Sequence, residues 1–258
     1  MPSIISIFPF EIVEIILDLL AEDDKDHSAL KQCSLVSQAF LPICRKHIFE
    51  SIVLNIDHKL VSSHAFQRLL HETPEIADYI RKFDYHSDGS TDLRPSFQES
   101  LKRISRLKFL TVWHYDYTNI PRHNWSNNPV RPALLHLLHL PTLTHLKLST
   151  KGFVVSDLIH CVNLKYLEIE YTTMAAGNTF PATLPEHSIQ LNEFVARFKT
   201  GYAIRKLYSA RRPDGQPIID FGSLSKIKVD IELPIEGEAS LELFRHCHSL
   251  TNVSVSCK

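Results

Sequence analysis

The chain has 258 residues, of which 44% are hydrophobic and 22% charged, and its formal net charge at pH 7 is -1. This composition is that of a globular protein rather than a disordered one, and the lack of a basic excess argues against a protein dedicated to holding nucleic acid. The five cysteines are odd in number and contain no CxxC pair, so we expect reduced thiols in an intracellular protein rather than a disulfide framework.

The apolar opening segment, residues 4–21, is not predicted to enter a membrane. It lacks a basic region before it and is interrupted by Glu11, Glu14 and Asp18. These features exclude both a signal peptide and a membrane span. We therefore expect a protein of the cytoplasm, the nucleus or both, with no membrane partner.

Three short helices are predicted in the first fifty residues. The first begins near Pro9, and helical spacing places five apolar residues on one of its faces: Ile12, Ile15, Ile16, Leu19 and Leu20. A second helix carries Leu35 and Val36 in its apolar stripe, and Pro42 is predicted to open a third. Because three short helices bury little surface on their own, we expect a partner to cover part of the first stripe.

Two stretches of this region carry a motif. The matching positions are Phe8, Pro9, Glu11, Ile12, Ile16 and Leu17 in the first stretch, and Leu30, Cys33, Ser34, Leu35, Val36, Ser37 and Phe40 in the second. Together they resemble the F-box in the form common in fungal proteins. Phe8 stands where Leu is usual and Phe40 where many members have Trp, and both substitutions keep the apolar character.

The resemblance implies docking to the Skp adaptor, which links F-box proteins to a cullin. It assigns the adaptor contact to six residues: Pro9, Ile12, Ile15, Ile16, Leu35 and Val36. The alternative, that these residues are simply the core of a helical cap, stays open.

A six-residue pattern, apolar-x-x-apolar-x-apolar, recurs through the rest of the chain. Its copies begin at Ile80, Leu107, Leu143, Leu164, Leu224 and Leu250, with a weaker copy at Ile204. Most of the spacings match the length of about 20–29 residues of a leucine-rich repeat, and two long ones require insertions, which we place at 115–130 and 174–188. In this interpretation Cys161 and Cys247 are buried at turns into strands.

The pattern predicts an α/β fold in two parts. A helical F-box-like domain over residues 1–50 is followed by a leucine-rich-repeat-like domain over 51–258, an irregular solenoid with a parallel inner sheet. The last copy ends three residues before the final residue. This predicts either an exposed edge strand or a fragment of a longer protein.

Residues between the pattern positions are predicted to face solvent on the inner surface of the sheet. Aromatic residues mixed with charges are typical of a protein-binding face, although ordinary surface decoration remains an alternative. We predict that a target protein binds there, at Phe109, Trp113, Tyr166, Glu168, Tyr208 and Lys228.

Motifs of catalysis and cofactor binding are missing from the sequence. There is no GxxxxGK[ST], GxGxxG or GxSxG, and the cluster from His246 to His248 matches no zinc spacing. The paired acids Glu168 and Glu170 are expected to be solvated. We therefore expect no catalytic residue, no cofactor and no metal.

Two hypotheses follow for the function. The first is a substrate-recognition subunit of an SCF-type cullin ubiquitin ligase, a monomer within the hetero-complex, whose F-box recruits the ligase while the repeats hold a protein target nearby. The second is a leucine-rich-repeat interaction scaffold with no ubiquitin role.

Overall fold

A computed structural model describes residues 9–23, 27–56, 61–87, 95–114, 124–175 and 180–257. Over these residues the chain is an α/β protein with eight α-helices and an eight-stranded parallel sheet, which confirms the predicted fold class. Phe8 of the motif lies outside the described residues, as do residues 115–123 and 176–179 of the two predicted insertions. Every helix in the described part is too short or too polar to cross a membrane.

Three helices form the N-terminal part: α1 (Phe10–Asp23), α2 (Ser28–Val36) and α3 (Leu41–Ile48). Pro42 lies in the first turn of α3, where its missing N–H costs no hydrogen bond. A small core joins the three helices and consists of Leu17, Leu30, Ile43 and Cys44. The three predicted helices are therefore confirmed.

The sheet consists of β1 (Ser51–Ile56), β2 (Lys82–Ser87), β3 (Phe109–His114), β4 (His145–Ser149), β5 (Tyr166–Glu170), β6 (Glu193–Arg197), β7 (Lys226–Ile231) and β8 (Asn252–Cys257). All neighbouring pairs are parallel, and the strands follow one another across the sheet in chain order.

Parallel neighbours need a crossover connection between them. Five crossovers contain an α-helix: α4 (Val61–Glu72), α5 (Pro95–Lys102), α6 (Arg131–Leu138), α7 (Gly201–Ser209) and α8 (Pro234–Phe244). The crossover from β4 to β5 contains the 3-10 helix Val155–Leu158 instead. Two pairs of two-residue strands lie beside the main sheet: Phe153–Val154 with Met174–Ala175, and Ile189–Gln190 with Ile219–Asp220.

The apolar pattern positions explain why these segments are strands buried on one face. In β3 the residues Leu110 and Val112 point to the same side and are almost fully buried, and Leu146 and Leu148 do the same in β4. Together with helix residues such as Phe97, they form one large hydrophobic core. The helices therefore cover one face of the sheet, and we call the other the open face.

The weak pattern copy at Ile204 was a wrong prediction. Ile204 and Leu207 are buried residues of helix α7, and a spacing of three residues fits one face of a helix as well as it fits the pattern. The strand of this region is β6, with Leu191, Phe194 and Ala196 in the three apolar positions. Ala196 is small and weakly apolar, which hid this copy.

Cys161 and Cys247 lie just before β5 and β8, as the pattern predicts. Cys161 is buried just before β5 and donates its thiol hydrogen to the Leu138 carbonyl at 3.2 Å, while Cys247 is partly buried and packs against the core. In β8, Val253 and Val255 occupy positions that are buried in the preceding strands, yet they are exposed. The exposed edge strand is thus present.

Glu236 joins the first turn of α8 to the segment after β7 and to the residue before α7. Its buried carboxylate accepts hydrogen bonds from the backbone N–H groups of Thr200 (3.1 Å), Glu232 (2.6 Å) and Leu233 (2.9 Å). Glu236→Ala leaves three donors without this acceptor, so we expect the free energy of unfolding to fall by about 3 kcal/mol or more. Urea denaturation measures this loss.

Glu238→Ala is the matched control, since Glu238 lies on the same helix and makes an exposed ion pair with Arg205 at 2.8 Å. An exposed pair of this kind contributes about 1 kcal/mol or less. Equal losses in the two variants would contradict the role given to Glu236.

Candidate functional site

The N-terminal helices expose apolar residues to an unusual extent. On α1 these are Phe10, Ile12, Ile15, Ile16 and Leu19, and on α2 they are Leu35 and Val36, the last two being 88% and 76% exposed. We call these seven residues the apolar surface of α1 and α2. Single exposed apolar residues are normal, but several on two short helices mark a surface for interaction.

Helix α1 is apolar on two sides, which explains this exposure. One side, Val13, Leu17, Leu20 and Ala21, packs into the small core. The other side carries Ile12, Ile15, Ile16 and Leu19 and faces outward. The predicted stripe was correct in four of its five members, while Leu20 belongs to the inward side. A helix with two apolar sides is normally buried on both of them, and the described residues cover only one.

An ion-pair cluster ties α1 to α3. The Asp18 carboxylate lies 2.6 Å from His47 Nε2 and 3.5 Å from Lys46 Nζ. The hydrogen bond from His47, with the nearby charge of Lys46, holds the pKa of Asp18 below its ordinary value. This cluster and the small core orient α1 so that its outward side stays accessible.

Five of the six residues assigned to adaptor contact belong to the apolar surface of α1 and α2, and Pro9 is exposed immediately before α1. Phe10 was missed by the sequence analysis, because it lies outside the i, i+3, i+4 series used to define the stripe. The structure therefore leaves all six positions accessible.

The second candidate site is the open face of the sheet. Strand register places its side chains in rows that cross the strands. One row runs Lys82, Phe109, His145, Tyr166, Glu193 and Lys226. The ring centroids of Phe109 and His145 lie 4.2 Å apart, and those of His145 and Tyr166 lie 5.4 Å apart. Three rings thus form a continuous shelf over β3, β4 and β5.

A buried carboxylate organises the middle of the open face. Glu168 accepts a hydrogen bond from the Tyr166 hydroxyl at 2.7 Å, and its Oε1 lies 3.2 Å from Lys147 Nζ and 3.1 Å from Arg197 Nε. Lys147 also reaches Glu170 at 3.7 Å. Burial and the bond to Glu168 raise the pKa of Tyr166, so this hydroxyl stays protonated.

Trp113 lies beside this ion-pair cluster. The Lys147 ammonium sits 5.4 Å from the centre of the Trp113 ring, a cation–π distance. On its other side Trp113 stacks on His86, with centroids 5.8 Å apart and an interplanar angle of 13°. The indole is therefore held between a cation and an imidazole rather than projecting freely.

Four of the six predicted target-binding residues lie on the open face as expected: Phe109, Trp113 and Tyr166, which are partly or well exposed, and Lys228, which is exposed. Glu168 is on this face, but it is buried rather than solvated as expected. The same correction applies to Glu170. Glu168 forms ion pairs with Lys147 and Arg197 from the two neighbouring strands, and Glu170 forms one with Lys147.

Tyr208 was placed on the wrong face. It belongs to helix α7, where its hydroxyl donates to Glu242 of α8 and its ring stacks on His246. Glu193 and Arg197 were absent from the predicted site, because their strand β6 was not recognised. The register of β6 with β5 is what brings Arg197 to Glu168.

Among the described residues, no group of three or more His, Cys, Asp or Glu side chains is arranged to hold a metal ion. A groove of about 590 Å³ between α4 and α5 is lined by polar side chains, including His64, Arg68, Ser96 and Arg103. Within this groove Ser96 donates a hydrogen bond to the Gln67 side chain, Ser100 donates to the Ser96 carbonyl, and Arg103 donates to the Leu70 carbonyl.

Comparison with known proteins adds no assignment: no family model matches the chain, and no curated protein is significantly similar to it.

The Glu168 cluster predicts a specific loss of stability. Glu168→Gln removes the charge that compensates Lys147 and Arg197, and we expect the free energy of unfolding to fall by about 1–3 kcal/mol, because the pair is buried on the carboxylate side and partly screened on the other. Glu193→Gln, on the next strand and without an ion pair in the described part, is expected to change it by no more than about 0.5 kcal/mol. Denaturant unfolding of both variants measures these changes in the free energy of unfolding. Equal losses would contradict a stabilising role for the ion pairs of Glu168.

The histidines of the open face predict a pH dependence of stability. Burial lowers the pKa of His86 and His145 below 6.5 in the folded chain. The unfolded chain therefore binds more protons near pH 6, and stability falls as the pH drops below about 6.5. We expect His86→Gln/His145→Gln to lose less stability than the parent between about pH 7.5 and 5.5.

His187→Gln is the control, because His187 is largely exposed. Unfolding curves at the two pH values should show its loss equal to that of the parent protein. A double variant that loses as much as the parent would show that these two partly buried imidazoles do not cause the effect.

Proposed function

We propose that the chain is a substrate-recognition subunit of an SCF-type cullin ubiquitin ligase, which docks to the Skp adaptor through α1 and α2. The observation that carries the proposal is the apolar surface of α1 and α2. The F-box resemblance assigns adaptor contact to six residues, and five of them belong to this surface. A surface of core-like residues held outward by a small separate core favours a protein partner.

The alternative interpretation of these residues, the core of a helical cap, is disfavoured by their exposure. Ile15 and Ile16 are more than half exposed, and Leu35 almost wholly so. A cap would place such residues against the sheet. The inward side of α1 instead packs within the three helices, in a core distinct from that of the sheet. This division supports two domains, over residues 1–50 and 51–258.

The arrangement of the sheet supports the leucine-rich-repeat part of the proposal. Consecutive strands are neighbours and all run parallel, as expected when units of one strand and one return connection stack in chain order. The proposed architecture is an irregular solenoid whose parallel inner sheet carries the open face. The variable connections, helical in some units and irregular in others, account for the uneven spacing of the pattern.

The proposed mechanism is proximity. The helices recruit the adaptor and, through it, a cullin, while the open face holds the target protein. Holding both raises the effective concentration of a target lysine near the ubiquitin carrier. In this scheme the chain contributes binding and orientation, and the chemistry belongs to other subunits.

Adaptor binding tests the proposal. The full chain is immobilised and the Skp adaptor is titrated against it, beside the variant Ile12→Asp/Ile16→Asp. Central apolar anchors typically cost about 2 kcal/mol or more when removed, so the double variant should bind at least about thirtyfold more weakly. Circular dichroism of the variant checks that its helices are intact.

A matched control places the same change elsewhere. Val61→Asp/Leu241→Asp alters two residues that are exposed to a similar degree on α4 and α8, and it should bind the adaptor like the parent. Failure of the parent chain to bind would reject the ligase role in favour of a repeat scaffold. Equal binding by Ile12→Asp/Ile16→Asp would reject the apolar surface as the docking site.

A further inference from the structure

In the ion pairs of the open face, the acidic side chains are more buried than the basic ones. The Lys147 side chain is 30% exposed, whereas its partner Glu168 is 7% exposed, and Lys82 is 49% exposed against 13% for Asp84. Arg197 is likewise far more accessible than Glu168. Among these ion pairs the carboxylate lies at the floor of the face and the cation lies on top.

Side-chain length explains this order. Lys and Arg stems can lie along the sheet while their charged ends reach water, and the shorter Asp and Glu side chains stay close to the backbone. The face carries equal numbers of acidic and basic residues, but a partner approaching from solvent meets the basic groups first. The net charge of -1 for the whole chain conceals this local surface.

Strand β7 extends the cationic layer. Lys226 and Lys228 are both exposed and form no ion pair within the described part of the chain. The acidic groups nearby are Glu193, which is half-buried on β6, and Asp230, which is buried on β7. The accessible and uncompensated charge at this side of the open face is therefore positive.

The ring shelf lies between two lysines of the same row. Register sets the order as Lys82, Phe109, His145, Tyr166, Glu193 and Lys226. Five steps of about 4.8 Å between strands separate the ends of the row by roughly 24 Å, which an extended peptide spans with about seven residues. Burial keeps the pKa of His145 low, so at neutral pH its ring adds no charge to the shelf.

We propose that the open face binds an acidic segment of the target protein in an extended conformation, across the strands. One aromatic or large aliphatic side chain of the segment packs on the shelf formed by Phe109, His145 and Tyr166. Its carboxylates pair with Lys82 at one end and with Lys226 and Lys228 at the other. The biological role of this site rests on the proposed function, whereas the binding itself does not.

Peptide binding by the full chain tests the inference. Fluorescence anisotropy is measured with a labelled heptapeptide, Glu-Asp-Ala-Phe-Ala-Asp-Glu, and with versions in which its acids are replaced by amides or by lysines. We expect the acidic peptide to bind at least tenfold more tightly than the amide version, to weaken as salt is added, and the lysine version not to bind. Lys226→Glu/Lys228→Glu should weaken binding of the acidic peptide about tenfold or more.

The controls separate this site from general electrostatics. Lys206→Glu changes an exposed lysine of α7 and should leave the affinity unchanged, and Phe109→Ala should weaken it. Equal binding of the lysine peptide, the same loss in Lys206→Glu, or no binding of the acidic peptide would overturn the inference. A preference above tenfold for a peptide with phosphoserine in place of the acids would overturn the assignment to carboxylates.

Adaptor titration on the same samples keeps the two proposals apart. Adaptor binding without peptide binding rejects the acidic-segment site and leaves the ligase role standing. Peptide binding without adaptor binding supports the site and rejects the ligase role.

Discussion

A single strand with one return connection cannot bury its own apolar face, and the rest of this structure follows from that constraint. Pairs such as Leu110 with Val112 and Leu146 with Leu148 are buried because the next strand and the next helix cover them. Stacking in chain order extends one core along the sheet and leaves the opposite face open. The end of the stack shows the constraint directly, since Val253 and Val255 of β8 remain exposed.

Helix α1 has more apolar surface than its neighbours in the described residues cover, and we propose that a partner protein covers the rest. Its inward side is covered by α2 and α3, whereas its outward side is equally apolar and is covered by nothing in the described residues. The open face differs, because ion pairs and stacked rings already engage the side chains at its centre. One surface is thus suited to an apolar, stable contact, which we propose is made with a ligase subunit. The other is suited to a polar and exchangeable contact, which we propose is made with a target protein.

Sequence spacing predicted most of the strands because alternation of buried and open positions is a local property. It failed at β6, where Ala196 weakened the pattern, and at Ile204, where three-residue spacing suited a helix equally well. Sequence spacing could not predict the burial of Glu168, because Lys147 and Arg197 come from two other strands and only the register brings them together. Exposure of the α1 stripe was predictable, because three short helices lack enough chain to cover both apolar sides of α1.

The proposed docking of α1 and α2 is tested by hydrogen–deuterium exchange of the full chain, with and without the Skp adaptor. We expect adaptor binding to slow backbone exchange in α1 and α2, while peptides from α4 and α8 keep their rates. Comparing the exchange rates with and without the adaptor locates the contact region without any substitution. Protection confined to the sheet, or no change at all on adding the adaptor, would contradict the assignment of the apolar surface of α1 and α2 to a ligase subunit.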